Sequence, residues 1–251
     1  MTRSSRTTFC LHLVRALFAA HAANGQTLVG APPAEPERAT AVRTTVPPDL
    51  LELARAAIGD AVPPGWAVRA VRGQRAPESS VVDSGGARFF RIGGEGRAAW
   101  YVREMPTPIA PARAELTWRW RVPVAPRGVD LRHEATDDAA LRIFVVFARR
   151  SWFEGTPRTL FYCTGGNEPA GYARASFTSP RLHVMRVSGA AAKASWETIA
   201  VDPFADYQRI WGEAPPPIVA VGIMQDTDQT RAATLADVQS LAWRPRHDAT
   251  P

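Results

Sequence analysis

Two acid pairs stand at the margins of short apolar runs, and they set the chemical question. Ile218 to Met224 is a run of β-formers and small apolar residues that leads into Gln225-Asp226-Thr227-Asp228-Gln229-Thr230. Asp137-Asp138 stands just before a second run, Ala139 to Phe147. Apolar runs of this length read as buried strands. Acids at strand ends can meet at one edge of a sheet. There they could cleave a glycosidic bond, hold a cation, or pair with arginines.

Arg142 interrupts the second run and shares a strand face with Ala140, Phe144 and Val146. A guanidinium in such a place needs a counter-charge. The acids on neighbouring segments are Asp138, Asp226, Asp228 and Asp237. The expectation is an Arg–Asp network that fixes strand ends, with a polar ligand pocket as the functional alternative. Calcium wants six to eight oxygens. The 226–230 segment offers two carboxylates and lacks the glycine of a helix–loop–helix calcium loop. No cofactor or metal is therefore expected, and a calcium site completed by Asp137 or Asp138 is the alternative. His12, His21, His133, His183 and His247 lack zinc-ligand spacing. No nucleophile turn, phosphate loop or dinucleotide fingerprint occurs. Cys163 follows Leu160-Phe161-Tyr162 and reads as a small core residue, so no disulfide framework is expected.

A second set of residues alternates. In Glu115 to Val122, Leu116, Trp118, Trp120 and Val122 share one face, and Thr117, Arg119 and Arg121 the other. The two tryptophans could form a stacking platform for sugars. Their face also carries Leu116 and Val122, so they are expected in the core. Arg119 and Arg121 then point to the opposite face, a ligand-accessible surface or solvent.

The elements that must position these groups are mostly β. Candidate strands are 66–71, 80–83, 87–92, 98–103, 115–122, 139–148, 158–163, 181–187, 195–201, 218–224 and 233–243, with turn residues in most gaps. Asp49 to Gly59 fits a short helix with an Asp start and a Gly stop. A second helix follows Asp202, with Pro203 at its first position, Gly212 at its end and Phe204, Tyr207 and Trp211 on one stripe.

The chain has 251 residues, 45% hydrophobic and 22% charged, enough for one sizeable core. The formal charge is +6, and half of it sits on Arg3, Arg6 and Arg15 near the N-terminus. The remaining basic residues are scattered, which argues against a nucleic-acid partner. Residues 1–22 resemble an export signal: Arg3 and Arg6, then a mostly apolar stretch from Phe9 to Ala20, then a small-x-small site at Ala20-His21-Ala22. Residues 23–48 read as a flexible Pro/Ala-rich lead-in and 49–251 as one domain. No stretch approaches the ~20 apolar residues of a membrane span.

In order along the chain, Leu116 to Val122, Asp137 to Phe147, Trp211-Gly212-Glu213 and Gly222 to Thr230 resemble a bacterial family of unknown function, DUF 3047. The resemblance runs from about Trp66 to Trp243. Two positions depart from the family pattern: Gln229 stands where asparagine is usual, and Ala236 where glycine precedes the acid, here Asp237. Membership implies an exported bacterial protein and no established activity.

These readings combine into an all-β fold, a single jelly-roll-type β-sandwich similar to carbohydrate-binding modules, with one or two short helices. The leading expectation is a periplasmic or secreted binding module for a glycan or other polar envelope ligand. Its candidate residues are Arg119, Arg121, Arg142, Asp138, Asp226, Asp228 and Asp237. The alternatives are a glycan-acting enzyme using Asp226, Asp228 and Asp138, and a purely structural envelope protein.

Overall fold

The computed structural model describes residues 49–245 apart from 112–113, 152, 170 and 189–192. The export signal and the lead-in lie outside the described residues. Twelve strands are seen among the described residues: β1 (Ala67–Ala70), β2 (Glu78–Ser84), β3 (Ala87–Glu95), β4 (Ala98–Ile109), β5 (Ala114–Val124), β6 (Ala139–Phe147), β7 (Thr159–Cys163), β8 (Ala173–Ala175), β9 (Leu182–Arg186), β10 (Lys193–Val201), β11 (Ile218–Asp226) and β12 (Ala233–Pro245). One α-helix, α1 (Pro203–Trp211), lies between β10 and β11.

The strands form two sheets. The larger has seven strands in the order β1-β4-β11-β6-β7-β9-β8, and the smaller five in the order β10-β5-β12-β3-β2. Among the described strands only β7 and β9 pair in parallel. The chain changes sheet between β1 and β2, at each step from β3 to β6, and at each step from β9 to β12. This winding is that of a jelly-roll sandwich, the fold class expected from the sequence.

Binary patterning explains the smaller sheet. Leu116, Trp118, Trp120 and Val122 of β5 all face the core, each at most 4% exposed. Trp118 meets Trp120 at 5.4 Å and Tyr162 from the opposite sheet at 5.7 Å. The larger sheet instead has continuous apolar strands, and every residue of β6 is buried. At its centre, along β11, β6 and β7, both faces are covered. Leu141, Ile143 and Val145 join the core between the sheets, while Phe144 and Val146 join a second cluster with Trp100, Phe161, Val184 and Leu131. Gly222 is required there: a Cβ on it would fall 1.9 Å from the ring of Phe144, its cross-strand partner.

Helix α1 forms as expected. Asp202 accepts from the backbone N–H groups of Phe204 and Ala205, and Gly212 closes the end with φ 67°. Its aromatic stripe packs against the end of β6, with Phe147 4.6 Å from Tyr207 and 6.2 Å from Phe204.

The expected helix over 49–59 does not form. Glu52 takes φ 46°, and only Leu53–Arg55 makes a short 3₁₀ turn. The backbone of this segment is used in tertiary contacts instead. The Leu50 N–H donates to the Leu241 carbonyl, and Trp66 Nε1 and Arg103 Nη1 donate to the Leu50 carbonyl. Leu50, Leu51 and Leu53 are buried, so the segment is a strap across the core rather than a helix. Among the described residues no helix is long and apolar enough to cross a membrane.

Candidate functional site

The sequence-derived candidates divide between two places, one on each sheet. The first is the outer face of the five-stranded sheet. Asp237 of β12 stands in register with Arg121 of β5 on one side and Arg91 of β3 on the other. Its side chain is fully buried. Arg91 Nε donates to Oδ1 at 2.7 Å and Arg91 Nη2 to Oδ2 at 3.0 Å, while Arg121 Nε donates to Oδ2 at 2.7 Å. The forked pair of charge-assisted bonds fixes both the position and the plane of the Arg91 guanidinium, and the single bond positions that of Arg121.

Aromatic rings complete the arrangement. The Arg121 guanidinium lies 4.7 Å from the centre of the Trp196 ring and 5.1 Å from that of Phe89. Arg91 lies over Phe89 at 5.2 Å and Arg119 over Trp196 at 5.5 Å. Arg119 Nη1 also donates to Gln239 Oε1 at 2.7 Å. Guanidinium–ring contacts are favourable and further restrict these long side chains. Asp237, one of the four acids open to Arg142 on sequence, lies away from it because pairing puts β12 in the other sheet. Phe89, Arg91, Trp196 and Gln239 were not among the expected candidates. The alternation of Phe89 and Arg91 against the core residues Phe90 and Ile92 marks their outward face, whereas only the strand order brings them to Arg121.

The second place is the end of β11. Asp138, Asp226 and Asp228 each offer a carboxylate oxygen, and these lie within 4.8 Å of one another. Asp138 accepts from the Thr230 hydroxyl at 2.6 Å and from the backbone N–H groups of Thr230 at 2.8 Å and Gln229 at 3.3 Å. Asp228 accepts from Gln74 Nε2 at 3.0 Å. Arg142 is 6% exposed, as its setting in β6 demands. Its Nη2 donates to the carbonyl and carboxylate of Asp137, at 2.7 and 3.2 Å, and lies 3.6 Å from Asp226. Arg174 pairs with the other Asp137 oxygen at 2.7 Å. Asp137 is thus the principal partner of Arg142, with Asp226 second.

Four carboxylates here face two guanidiniums. Burial pushes Asp226 well above the usual carboxylate range; Arg142 opposes the shift, and the neighbouring acids add to it. Burial also raises Asp138, against its bonds from Thr230 and Gln229 and the charge of Arg142. Asp226 and Asp138 are therefore the members that favour a retained proton. Three oxygens could touch a hard cation, about half of the six to eight that calcium takes. Carboxyl pairs in glycosidases stand roughly 5–9.5 Å apart, with the sugar or a water between them. Here the closest oxygens are nearer than that, and Asp138 and Asp226 are buried.

A third feature is a cavity of about 340 Å³ beside α1, lined by Tyr162, Met185, Asp206 and Arg209 among others. Both Asp206 oxygens are engaged, by the Tyr162 hydroxyl at 3.0 Å and Arg209 at 2.6 Å. Cys163 is fully buried, and burial pushes its thiol up to about 12, which keeps it from acting as a nucleophile.

A family model described as "Protein of unknown function (DUF3047)" matches residues 64–242. A search of curated proteins gives no match. Among solved structures, the chain is similar to the family 11 carbohydrate-binding module of the cellulosomal cellulase Lic26A-Cel5E of Clostridium thermocellum, with TM-score 0.43 and 10% identity over 80% of this chain and 93% of that one. Endoglucanase 3 of Trichoderma harzianum, from family GH12, gives TM-score 0.42 and 12% identity over 72% and 90%.

Proposed function

We propose that this chain, which belongs to the DUF3047 family of proteins of unknown function, is an exported binding module that holds a glycan against the outer face of its five-stranded sheet. One observation carries the reading. Trp196, Arg91, Arg119, Arg121 and Gln239 form one patch on rigid strands, with Phe89 and Asp237 buried beneath as its support. Sugars are recognised by an aromatic surface against their C–H groups and by fixed donors and acceptors against their oxygens. This patch supplies both. Export is supported by Arg3 and Arg6 before an apolar stretch that ends in Ala20-His21-Ala22, and it would place the module in the periplasm or outside the cell.

The acid cluster is proposed as a lock on strand ends. It joins the segment before β6 to the loop after β11 through Asp138, Thr230 and Arg142. No cofactor is part of the proposal.

The test is a binding screen of the full chain against immobilised glycans, with Trp196→Ala alongside. Trp196 is half-buried at the patch, so its truncation should weaken retention at least tenfold, the loss expected for a central aromatic contact, while the urea midpoint stays near that of the parent. Undiminished binding by the variant would refute the patch. Release of reducing ends from any bound glycan, abolished by Asp226→Asn, would replace the module with a hydrolase.

A further inference from the structure

We infer that the ligand of this face carries negative charge, and that its recognised group is a carboxylate on a sugar, as in a polyuronic acid. The inference rests on the glycan-binding reading above and names the ligand class. The patch holds three guanidiniums and one carboxylate: Arg91 and Arg121 pair with Asp237, while Arg119 bonds the neutral Gln239. The patch therefore keeps a surplus of two positive charges. On the β2 side Glu78 shares the face, in register with Gly93 beyond the Ser80–Arg91 pair, so the surplus lies toward β5, at Arg119 and Arg121. Arg88, further along β3, is matched by Asp83 at 3.8 Å. Glu115 stands opposite Arg244 in register. Glu197, next to Trp196 on β10, is in register with the core residue Trp120 and accepts from Ser188 at 2.8 Å.

The donors also remain available. Arg121 uses Nε for Asp237, and Arg119 uses one Nη for Gln239. Their other guanidinium nitrogens bond no described residue, and both side chains reach solvent: Arg119 is exposed and the Arg121 side chain is 24% exposed. Arg119 has no carboxylate partner among the described residues, and Arg121 keeps both Nη groups for a ligand. A planar guanidinium with two parallel N–H groups matches a carboxylate bidentately. Trp196 and Phe89 hold these planes before any ligand arrives, which lowers the ordering cost of binding.

A neutral sugar would leave the surplus charge uncompensated. A polyuronate would present carboxylates to Arg119 and Arg121 and its ring C–H groups to Trp196. Arg119 is the residue to change, because it is exposed and its neutral partner Gln239 does not depend on it for charge. Arg121 and Arg91 neutralise a buried acid, so their loss would confound binding with folding.

The experiment is calorimetric titration of the full chain with an oligogalacturonide, with the same oligomer fully methyl-esterified, and with Arg119→Gln as the variant. The expected result is binding of the acid form, at least tenfold weaker binding of the ester, and a further weakening of the acid form in 0.5 M NaCl through screening. Arg119→Gln should lower affinity for the acid form about tenfold, as expected for one charge-assisted bond, with its urea midpoint unchanged. Equal binding of acid and ester would overturn the anionic ligand and leave the glycan module standing. Binding of neither, while a neutral glucan panel also fails, would overturn both. Binding of duplex DNA or of anionic lipid vesicles in place of the sugar would identify a phosphate-bearing partner and equally overturn the inference.

Discussion

Removing the Asp237 carboxylate is the sharpest test of how the arginine face is built. Asp237→Ala deletes the acceptor of three charge-assisted bonds and leaves Arg91 and Arg121 as neighbouring like charges. Breaking a fully buried ion pair costs about 3–5 kcal/mol. Here the acid side chain is fully buried, while the arginines are 34% and 24% exposed and can turn partly to water. The loss should therefore fall to about 2–3 kcal/mol. With a urea slope of about 2–3 kcal/mol/M, the midpoint should drop by roughly 1 M. Arg55→Ala is the control. Its side chain is 77% exposed in the pair with Glu52, so it should cost under about 0.5 kcal/mol. A triple variant with leucine at 91, 121 and 237 should recover most of the loss, because no uncompensated charge remains. A midpoint for Asp237→Ala indistinguishable from Arg55→Ala would refute the argument that this acid anchors the face.

Three further outcomes are expected. Trp118→Ala should cost about 3–5 kcal/mol in urea unfolding, since the side chain is 1% exposed between Trp120 and Tyr162; unchanged stability with lost binding would make it a ligand platform instead. The raised Asp226 means the folded state binds more protons than the unfolded state above pH about 4, so its contribution to stability is full below that pH and is lost as pH rises toward the folded value. Asp226→Asn should flatten that slope relative to the parent, and an unchanged slope, or a calcium-dependent melting temperature abolished by chelator, would point to ionised acids around a cation. N-terminal sequencing of protein from its native host should begin at Ala23, and intact protein retained in the cytoplasm would contradict export.

The core was legible where one residue in two faces it. Trp118 and Trp120 alternate with arginines, so periodicity alone assigned both sides of β5. Arg142 was legible for the opposite reason, a single charge in an otherwise apolar strand. The 49–59 segment was misread because its capping residues also suit a strap, and only Leu241, Trp66 and Arg103 reveal where its backbone bonds go. β8 is three residues long and carries no period of its own. The arginine face was half legible. Arg119, Arg121 and Asp237 could be named, but nothing local grouped Asp237 with the two arginines. Its true neighbours are set by β12 lying between β5 and β3, a long-range pairing that no local pattern encodes.

The central claim, that a glycan lies on the outer face of the five-stranded sheet, is tested most directly by mapping amide chemical-shift changes on the ¹⁵N-labelled chain during titration with the oligosaccharide it binds. The account predicts that the shifted amides cluster on β10, β5, β12 and β3 around Trp196, Arg119, Arg121, Asp237 and Phe89. A cluster instead at Asp138, Asp226 and Asp228, or around the cavity of Tyr162 and Asp206, would contradict it.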